Sequence, residues 1–422
     1  MIYKIDMSAN RNTMDSNDIH PKYDISKMKG YVLNLLFGFI ILGLSVIFSS
    51  PTLLIPQHNA IINQEYWYEV MISASTVNSL GLVINTMFEC QIVFKEDKFV
   101  SLKYFSIFFI GAALGVIIPF SSCYLIWTVW LGNNNPMPFV GFCYYISYFV
   151  HLFQLWMAFP KKDKEDQRKR IGAYFLYRFW FLLVSIQNMG LRMIFSKVPS
   201  NLQLTMSLVL PMVREFNHWI LTQLLEKTTD SDKIVAKLVT TISINVVHAF
   251  FVAIIISSMA NKTTSFCILG VDFLLNLYSC YKIFKMKRKI GFVVLMEDNM
   301  INSMNCEIHN LFSIEAIEVF IPLILGITVS LAYYGPNGDI LGGIRNNYWH
   351  YKEIQDIWFV IAELALMFAI DLLSFIFVCF VLYRYSSIDF FYEGYKLMKS
   401  YWPLIAVKIA GKMSQVSMKF EI

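Results

Sequence analysis

Long apolar stretches recur along most of this chain, and they constrain its fold more than any other feature. The hydrocarbon core of a bilayer is about 30 Å thick and is crossed by roughly 20 helical residues. Because backbone groups within lipid must be satisfied inside the segment itself, such stretches predict an all-α, polytopic membrane protein. The candidate spans, ten in all, are 31–51, 67–92, 104–130, 138–159, 172–195, 202–225, 235–259, 264–284, 313–334 and 357–383.

Composition agrees with this class. Hydrophobic residues make up 56% of the 422 residues and charged residues 15%, whereas about a quarter of a soluble domain is charged. The net charge of +5 is spread over loops, so we expect no nucleic-acid partner, which would need a basic face. The seven cysteines form no CxxC pair, which argues against a disulfide framework or a zinc site. The expected partners are the lipid bilayer and a small solute or ion.

The distribution of basic residues predicts the orientation of the spans. Loops 52–66 and 131–137 contain no Lys or Arg, whereas 161–170 and 282–289 are strongly basic. Cytosolic loops carry the excess of basic residues in membrane proteins. With ten spans the alternation holds, and both termini are expected in the cytosol. The weakest span is 202–225, because Arg214 interrupts it.

The chain divides into three predicted segments. Residues 1–30 form a polar cytosolic segment without the apolar core of a signal peptide. Residues 31–383 form one transmembrane helical domain. Residues 384–422 alternate apolar residues with lysines, a pattern that predicts a cytosolic amphipathic helix along the inner membrane surface. The protein is therefore expected to be integral to the plasma membrane or an endomembrane.

Polar residues interrupt several predicted spans at similar depth. A charge at the bilayer centre costs about 2.5–3.5 kcal/mol on insertion scales, so it normally faces the bundle interior and has a partner. Residues three or four apart share a helix face, so each helix is able to present its polar set inward. The predicted binding or pathway residues are Arg214, Glu215, His218, Asn245, His248, Asp272, Asn276 and Asp371.

The chemistry of this set suggests proton or cation transfer. Asp272 and Asp371 would take up a proton or cation, and His248 or His218 would relay or ligate it, since imidazole titrates near neutral pH. Arg214 would neutralise one of the acids. The alternative is that the same side chains only hold helices together, as buried polar contacts do in membranes. A metal ion is neither indicated nor excluded.

Other ionisable residues of the predicted spans stay outside that set. Glu315 and Glu318 are placed near the cytosolic end of 313–334, and Glu89 and Arg178 lie in the second and fifth spans.

The predicted outer loop 333–356 is rich in turn residues and aromatic side chains. One interpretation is an ordered cap whose aromatic residues, Trp349 among them, lie at the membrane interface. The other is a lid in which Asp339, Arg345 and His350 contact a ligand or ion.

These features favour some functions over others. The sequence contains no phosphate-binding loop, no metalloprotease or hydrolase motif, and no segment long enough for a soluble catalytic domain. We therefore expect neither an enzyme nor a cofactor. The leading interpretation is a transporter or permease for a small solute or cation, coupled to protons through buried Asp, Glu and His. The alternatives are a receptor or ion channel that uses the 333–356 loop, and a purely structural protein.

Four segments also carry a resemblance, which covers roughly residues 140–410. They are "VREFNHWILTQLLEK", "NVVHAFFVAI", "CILGVDFLLNLY" and "YYGPNGDILGGIRNNYW". In these segments the chain resembles an uncharacterised family of multi-pass membrane proteins of unicellular eukaryotes. The resemblance implies a single transmembrane domain and brings no activity, substrate or site residue with it.

Overall fold

The described part of the chain is all-α. The computed structural model describes residues 32–33, 36–41, 43, 67–94, 102–125, 129, 146–153, 165–228, 233–258, 262–292, 298–334 and 355–419. Its long helices, which we number in chain order, are α1 (Trp67–Phe94), α2 (Leu102–Tyr124), α3 (Glu165–Lys197), α4 (Ser200–Glu226), α5 (Lys233–Ser258), α6 (Lys262–Phe292), α7 (Asp298–Tyr334), α8 (Gln355–Ser386) and α9 (Phe390–Lys419).

Helix α5 lies at the centre of the bundle. Residues 238–256 of its apolar stretch Ile234–Ile256 are all buried, and α1, α3, α4, α7, α8 and α9 all pack against it. A helix that is apolar on every side is typical of a position surrounded by other helices. The polar side chains that α5 carries therefore face neighbouring helices.

The outer helices expose large apolar side chains. Leu373 and Phe380 of α8 are 65% and 59% exposed, and Leu274 of α6 is 64% exposed. Large apolar side chains are exposed on most of the described helices, which is unusual for a water-soluble protein. Four stretches in α5, α6, α7 and α8 are long and apolar enough to cross a membrane, and they are Ile234–Ile256, Thr264–Lys289, Met300–Leu331 and Trp358–Ser386.

The predicted membrane class is confirmed at this coarser level. Helix α4, which carries Arg214, is not among these four helices, and α1 and α2 contain only shorter apolar stretches, Ser79–Phe94 and Ile110–Ser122. The predicted spans 31–51 and 138–159 lie largely outside the described residues. The total of ten spans and the orientation of the termini stay predictions.

Helix α7 is longer than the sequence pattern suggested. It begins at Asp298 rather than near 313 and contains 37 residues, which corresponds to about 55 Å at the rise of an α-helix. No glycine or proline interrupts residues 298–321, so nothing stops the helix there. Glu315 and Glu318 consequently lie near the middle of α7 and not near its start, and their depth in the membrane stays a prediction.

Helix α9 is packed into the bundle. A tight turn, with Ser387 at φ 50°, separates it from α8, and Asp389 caps it by accepting a hydrogen bond from the Tyr392 backbone N–H at 3.1 Å. Leu404, Ile405 and Lys408 are all at most 5% exposed, and α9 packs against α1, α5 and α7. A helix on a membrane surface would leave one face exposed, so that expectation is wrong for this stretch of α9.

Candidate functional site

Arg214 is the centre of the deepest charged group in the second half of the bundle. It lies near the middle of α4 and is 8% exposed. Its guanidinium lies 3.5 Å from Glu215, 3.7 Å from Asp272 of α6 and 3.9 Å from Glu318 of α7. These separations are longer than ordinary charge-assisted hydrogen bonds, which measure about 2.7–2.9 Å. Arg214 is therefore shared loosely among several acids.

Three helices contribute the acids around Arg214. Asp272 comes from α6, Glu315 and Glu318 from α7, and Asp371 from α8; we call these four residues the acid cluster. The Asp371 carboxyl lies within electrostatic reach of Glu318, Asp272 and Glu315. All four side chains are less than one-sixth exposed.

Two neutral side chains support the acid cluster. Asn276 Nδ2, one helical turn after Asp272, donates to Glu318 Oε2 at 3.4 Å. Ser374 Oγ, one turn after Asp371, donates to Glu315 Oε1 at 3.3 Å. Residues at these spacings share a helix face, so α6 and α8 each direct an acid and a hydrogen-bond donor toward α7.

The charges of the acid cluster do not balance. Among the described residues, Arg214 is the one cation in ion-pair contact with these four carboxyl groups. Asp272 Oδ1 and Asp371 Oδ2 are buried and accept no hydrogen bond within the described part of the chain. Burying an unpaired carboxylate is strongly unfavourable, so the cluster must be neutralised by bound protons or by a cation. No group of three or more His, Cys, Asp or Glu side chains in the described residues has the arrangement of a metal site.

A cleft opens beside Arg214, between α3, α4 and α5. It is shallow and open on one side, and the empty space of about 280 Å³ in and around it includes solvent outside the mouth. Its polar lining consists of Asn188, Arg214, Asn217 and His248, and the remaining lining residues are apolar. His248 is 8% exposed and makes no hydrogen bond within the described residues, so its ring nitrogens remain available to an occupant of the cleft.

Asn217 is fixed in place at the wall of the cleft. Its Oδ1 accepts a hydrogen bond from Trp180 Nε1 at 3.2 Å, and its Nδ2 donates to Gln187 Oε1 at 2.8 Å. Both partners belong to α3, so these bonds join α3 to α4 at this level. Asn217 therefore positions the cleft more than it offers free donors or acceptors.

The structure brings together part of the predicted set. Arg214, Asp272, Asn276 and Asp371 lie in or against the acid cluster, and His248 lines the cleft beside Arg214.

The other predicted residues lie elsewhere. The Glu215 side chain is 66% exposed, so it lies at the outer surface of α4 and not inside the bundle. His218 Nε2 lies 3.0 Å from Thr241 Oγ1 of α5. Asn245 is buried on α5, and no hydrogen bond joins it to the acid cluster in the described part of the chain. The outer-loop candidates Asp339, Arg345, Trp349 and His350 fall outside the described residues.

Sequence reasoning missed Glu315 and Glu318 as site residues. Both were recognised as acidic residues of a span, but the late start assigned to that span placed them at its edge. The signal that would have found them is the uninterrupted helical sequence upstream, which moves them to the depth of Arg214.

A second buried charge group joins α1, α3 and α9; we call it the Glu89 cluster. Glu89 Oε2 accepts hydrogen bonds from Arg178 Nη1 at 2.7 Å and from the Tyr174 hydroxyl at 3.0 Å. Its Oε1 accepts from the Tyr177 hydroxyl at 2.9 Å and from Lys408 Nζ at 3.0 Å. Glu89 is fully buried and Arg178 is 2% exposed.

Comparison with known proteins adds no assignment. No protein-family model, no curated protein and no solved structure matches this chain. The resemblance to multi-pass proteins of unicellular eukaryotes stays a prediction, and the functional argument rests on the site itself.

Proposed function

We propose that the protein is a multi-pass transporter or permease for a small solute or ion, coupled to protons through the acid cluster. In this proposal ten helices cross the membrane, both termini lie in the cytosol, and α4 is one of the crossing helices. The single observation that carries the proposal is the imbalance of four buried carboxyl groups around one guanidinium.

A purely structural role explains this imbalance poorly. Helix–helix contacts in membranes are made by satisfied polar pairs, whereas Asp272 Oδ1 and Asp371 Oδ2 are buried without a hydrogen bond. Intramembrane carboxyl groups that face a bundle interior are typical of proton relays and ion pathways. An excess of acids gives the bundle a place to take up and release protons.

The loose position of Arg214 suggests how binding and protonation are linked. Its guanidinium lies at nearly equal distances from Asp272 and Glu318. Protonation of one of these acids would weaken its attraction for the guanidinium, which would then move toward the other acid. Deprotonation would restore the first contact. Arg214 also lines the cleft. A change in the acids that Arg214 contacts would therefore change its interaction with a solute bound there.

The test is a proton-flux measurement with the full-length protein in liposomes. Under an imposed pH gradient, with a panel of small solutes outside, the protein is expected to move protons together with one solute class. Asp272→Asn and Asp371→Asn are expected to reduce that coupled proton movement at least tenfold. Glu226→Gln, which removes an acid near the end of α4, is the matched control and should retain it.

The outcomes separate this proposal from its alternatives. Solute flux that no longer depends on protons in the two Asp variants supports the assigned role. Unchanged proton coupling in both variants would overturn it. Solute movement that always runs down its own gradient would indicate an ion channel, and binding without flux would indicate a receptor.

A further inference from the structure

We infer that the cleft between α3, α4 and α5 is the solute site, and that its ligand is a small anion, a carboxylate with a short apolar body. This inference rests on the proposed function and names the class of solute that the cleft accepts. It depends on the cationic, polar and apolar side chains that line the cleft in the described part of the chain.

The polar lining of the cleft is suited to an anion. Arg214 supplies a guanidinium, His248 an imidazole, and Asn188 and Asn217 carboxamides, and no carboxylate is among the lining residues that the structure describes. A cationic solute in the cleft would lie beside the Arg214 guanidinium, and the acids that contact this guanidinium are not among the described lining residues. An anion in the same place would gain a charge-assisted hydrogen bond, for which a carboxylate matches the planar fork of Arg.

Arg214 has the capacity to bind such a ligand. Its contacts with Glu215, Asp272 and Glu318 lie between 3.5 and 3.9 Å, and among the described residues it donates no hydrogen bond. Its five N–H donors are thus weakly engaged. His248 is also buried in the wall without a hydrogen-bond partner in the described residues. Two nitrogen-bearing groups therefore reach the cleft with unused hydrogen-bonding capacity.

The remaining walls define the body of the ligand. The other lining residues are aliphatic side chains and one aromatic ring, Phe251, contributed by α3, α4 and α5. Small-molecule sites are commonly apolar clefts with a few fixed polar groups.

The cleft and the acid cluster share Arg214. A bound carboxylate would attract the guanidinium away from Asp272 and Glu318, which already lie 3.7 and 3.9 Å from it. The two acids would then need another source of positive charge. Anion binding in the cleft and proton uptake by the acid cluster are thereby linked through one side chain.

The test compares three probes of similar shape: butyrate, butyramide and n-butylamine. Each is titrated against the purified full-length protein in detergent at neutral pH, and binding is measured by saturation-transfer NMR. Butyrate is expected to bind at least tenfold more tightly than n-butylamine, with butyramide between them. Equal or tighter binding of n-butylamine would overturn the inference.

Two variants locate the binding site. Arg214→Gln is expected to reduce butyrate affinity at least tenfold, and Arg384→Gln, which removes an exposed guanidinium from α8, is its control. Because Arg214→Gln also disturbs the acid cluster, Asn188→Asp provides an independent test by placing a carboxylate in the cleft wall. Asn188→Asp is expected to reduce the affinity for butyrate at least tenfold, whereas the control Asn305→Asp on α7 should leave that affinity unchanged.

Failure of this inference is distinguishable from failure of the proposed function. Butyrate binding that is unchanged by Asn188→Asp overturns the cleft as an anion site. If proton flux in liposomes is then driven by n-butylamine and still requires Asp272 and Asp371, the transporter proposal stands with a cationic solute. If butyrate binds as expected but no solute drives proton flux, the cleft is an anion site in a protein that does not transport by this route.

Discussion

The Glu89 cluster and the acid cluster are both buried charge groups, and they are built in opposite ways. In the Glu89 cluster one carboxylate accepts four hydrogen bonds of 2.7–3.0 Å from two cations and two tyrosines. In the acid cluster four carboxyl groups surround one guanidinium, which approaches two of them no closer than 3.7 Å. The carboxylate of the first group is saturated with hydrogen bonds, whereas the second group leaves two buried acid oxygens without a hydrogen bond in the described part of the chain.

The difference separates a structural role from a functional one. A saturated ion pair with short contacts holds its helices in one arrangement, and the aromatic faces of Tyr148 over Arg178 and Phe181 over Lys408 add to it. A group with surplus acids has more than one low-energy arrangement of protons and partners. The Glu89 cluster therefore fastens α9 to α1 and α3, whereas the acid cluster is able to change state.

The largest expected effect is on the Glu89 cluster. Glu89→Gln leaves Arg178 and Lys408 buried without their carboxylate, and breaking a buried pair in this way costs about 3–5 kcal/mol. We expect the free energy of unfolding in detergent, measured by chemical denaturation, to fall by this amount. Glu226→Gln at the end of α4 is the control and should change it by less than about 0.5 kcal/mol. A loss below about 1 kcal/mol for Glu89→Gln would remove the structural role.

The docking of α9 supplies the next prediction. A Cβ added at Gly394 would lie 2.0 Å from the Phe312 ring of α7, whereas one added at Gly172 meets nothing within 4 Å. Gly394→Ala is expected to lower the midpoint of thermal unfolding, with overpacking costing about 1–3 kcal/mol. Gly172→Ala should be neutral or slightly stabilising, because alanine favours helix. Equal effects of the two substitutions would show that α9 does not pack closely on α7.

The acid cluster is expected to respond in the opposite sense to the Glu89 cluster. Glu318→Gln removes one of several neighbouring acids around Arg214, and because like charges in one site disfavour each other it is expected to leave the free energy of unfolding unchanged or to raise it slightly. Coupled proton flux should nevertheless fall at least tenfold. Denaturation and liposome assays on the same preparation check both parts. If Glu318→Gln lowered the free energy of unfolding as much as Glu89→Gln does, the acid cluster would have a structural role as well.

The smallest effect concerns a charge group at the start of α9. Glu393 lies 2.7 Å from Lys396 Nζ and 3.7 Å from His309 Nε2. Burial would raise the pKa of the Glu393 carboxyl, but the His309 imidazole and the Lys396 ammonium together hold that pKa below its usual value of 4.5. A lowered pKa stabilises the fold above pH 4.5, and the contribution is lost as pH falls through the folded value.

Partial exposure limits the size of this pH effect. With Lys396 half exposed, the difference in unfolding free energy between the native chain and Glu393→Gln is expected to be at most about 1 kcal/mol at pH 7. The difference should shrink below pH 4.5 when both chains are compared by denaturation from pH 7 to pH 3. A difference that grows as pH falls would contradict the assignment.

Sequence patterns predicted the class of this protein and half of its site. The length and hydropathy of the apolar stretches predicted the helices, because both follow from the local sequence. The depth of Arg214, Asp272 and Asp371 within their spans predicted that they would meet, and they do meet around α7. Depth along a helix can be read from sequence position.

What sequence did not predict depends on long-range packing. Glu215 and Arg214 are neighbours in sequence, yet one is exposed and the other buried, since the direction of a side chain follows from which helices flank α4. Polar residues near Asp298 hide the start of α7 in the sequence, so the predicted span begins at 313 and Glu318 is placed near its end. The lysines of 384–422 predict a helix on the membrane surface. Lys408 is nevertheless buried, because Glu89, far away in sequence, accepts a hydrogen bond from it.

The most direct test of the central claim is aqueous access to the cleft beside the acid cluster. In a chain without its native cysteines, Val213→Cys and Ile244→Cys introduce thiols into the lining of the cleft, and Met212→Cys and Phe216→Cys place them on the exposed apolar face of α4. A small, charged thiol reagent added to the protein in liposomes is predicted to label the first pair and spare the second. If the cleft positions also stay unlabelled, the region is dry, and the acid cluster and the cleft are structural contacts with no solute pathway between them.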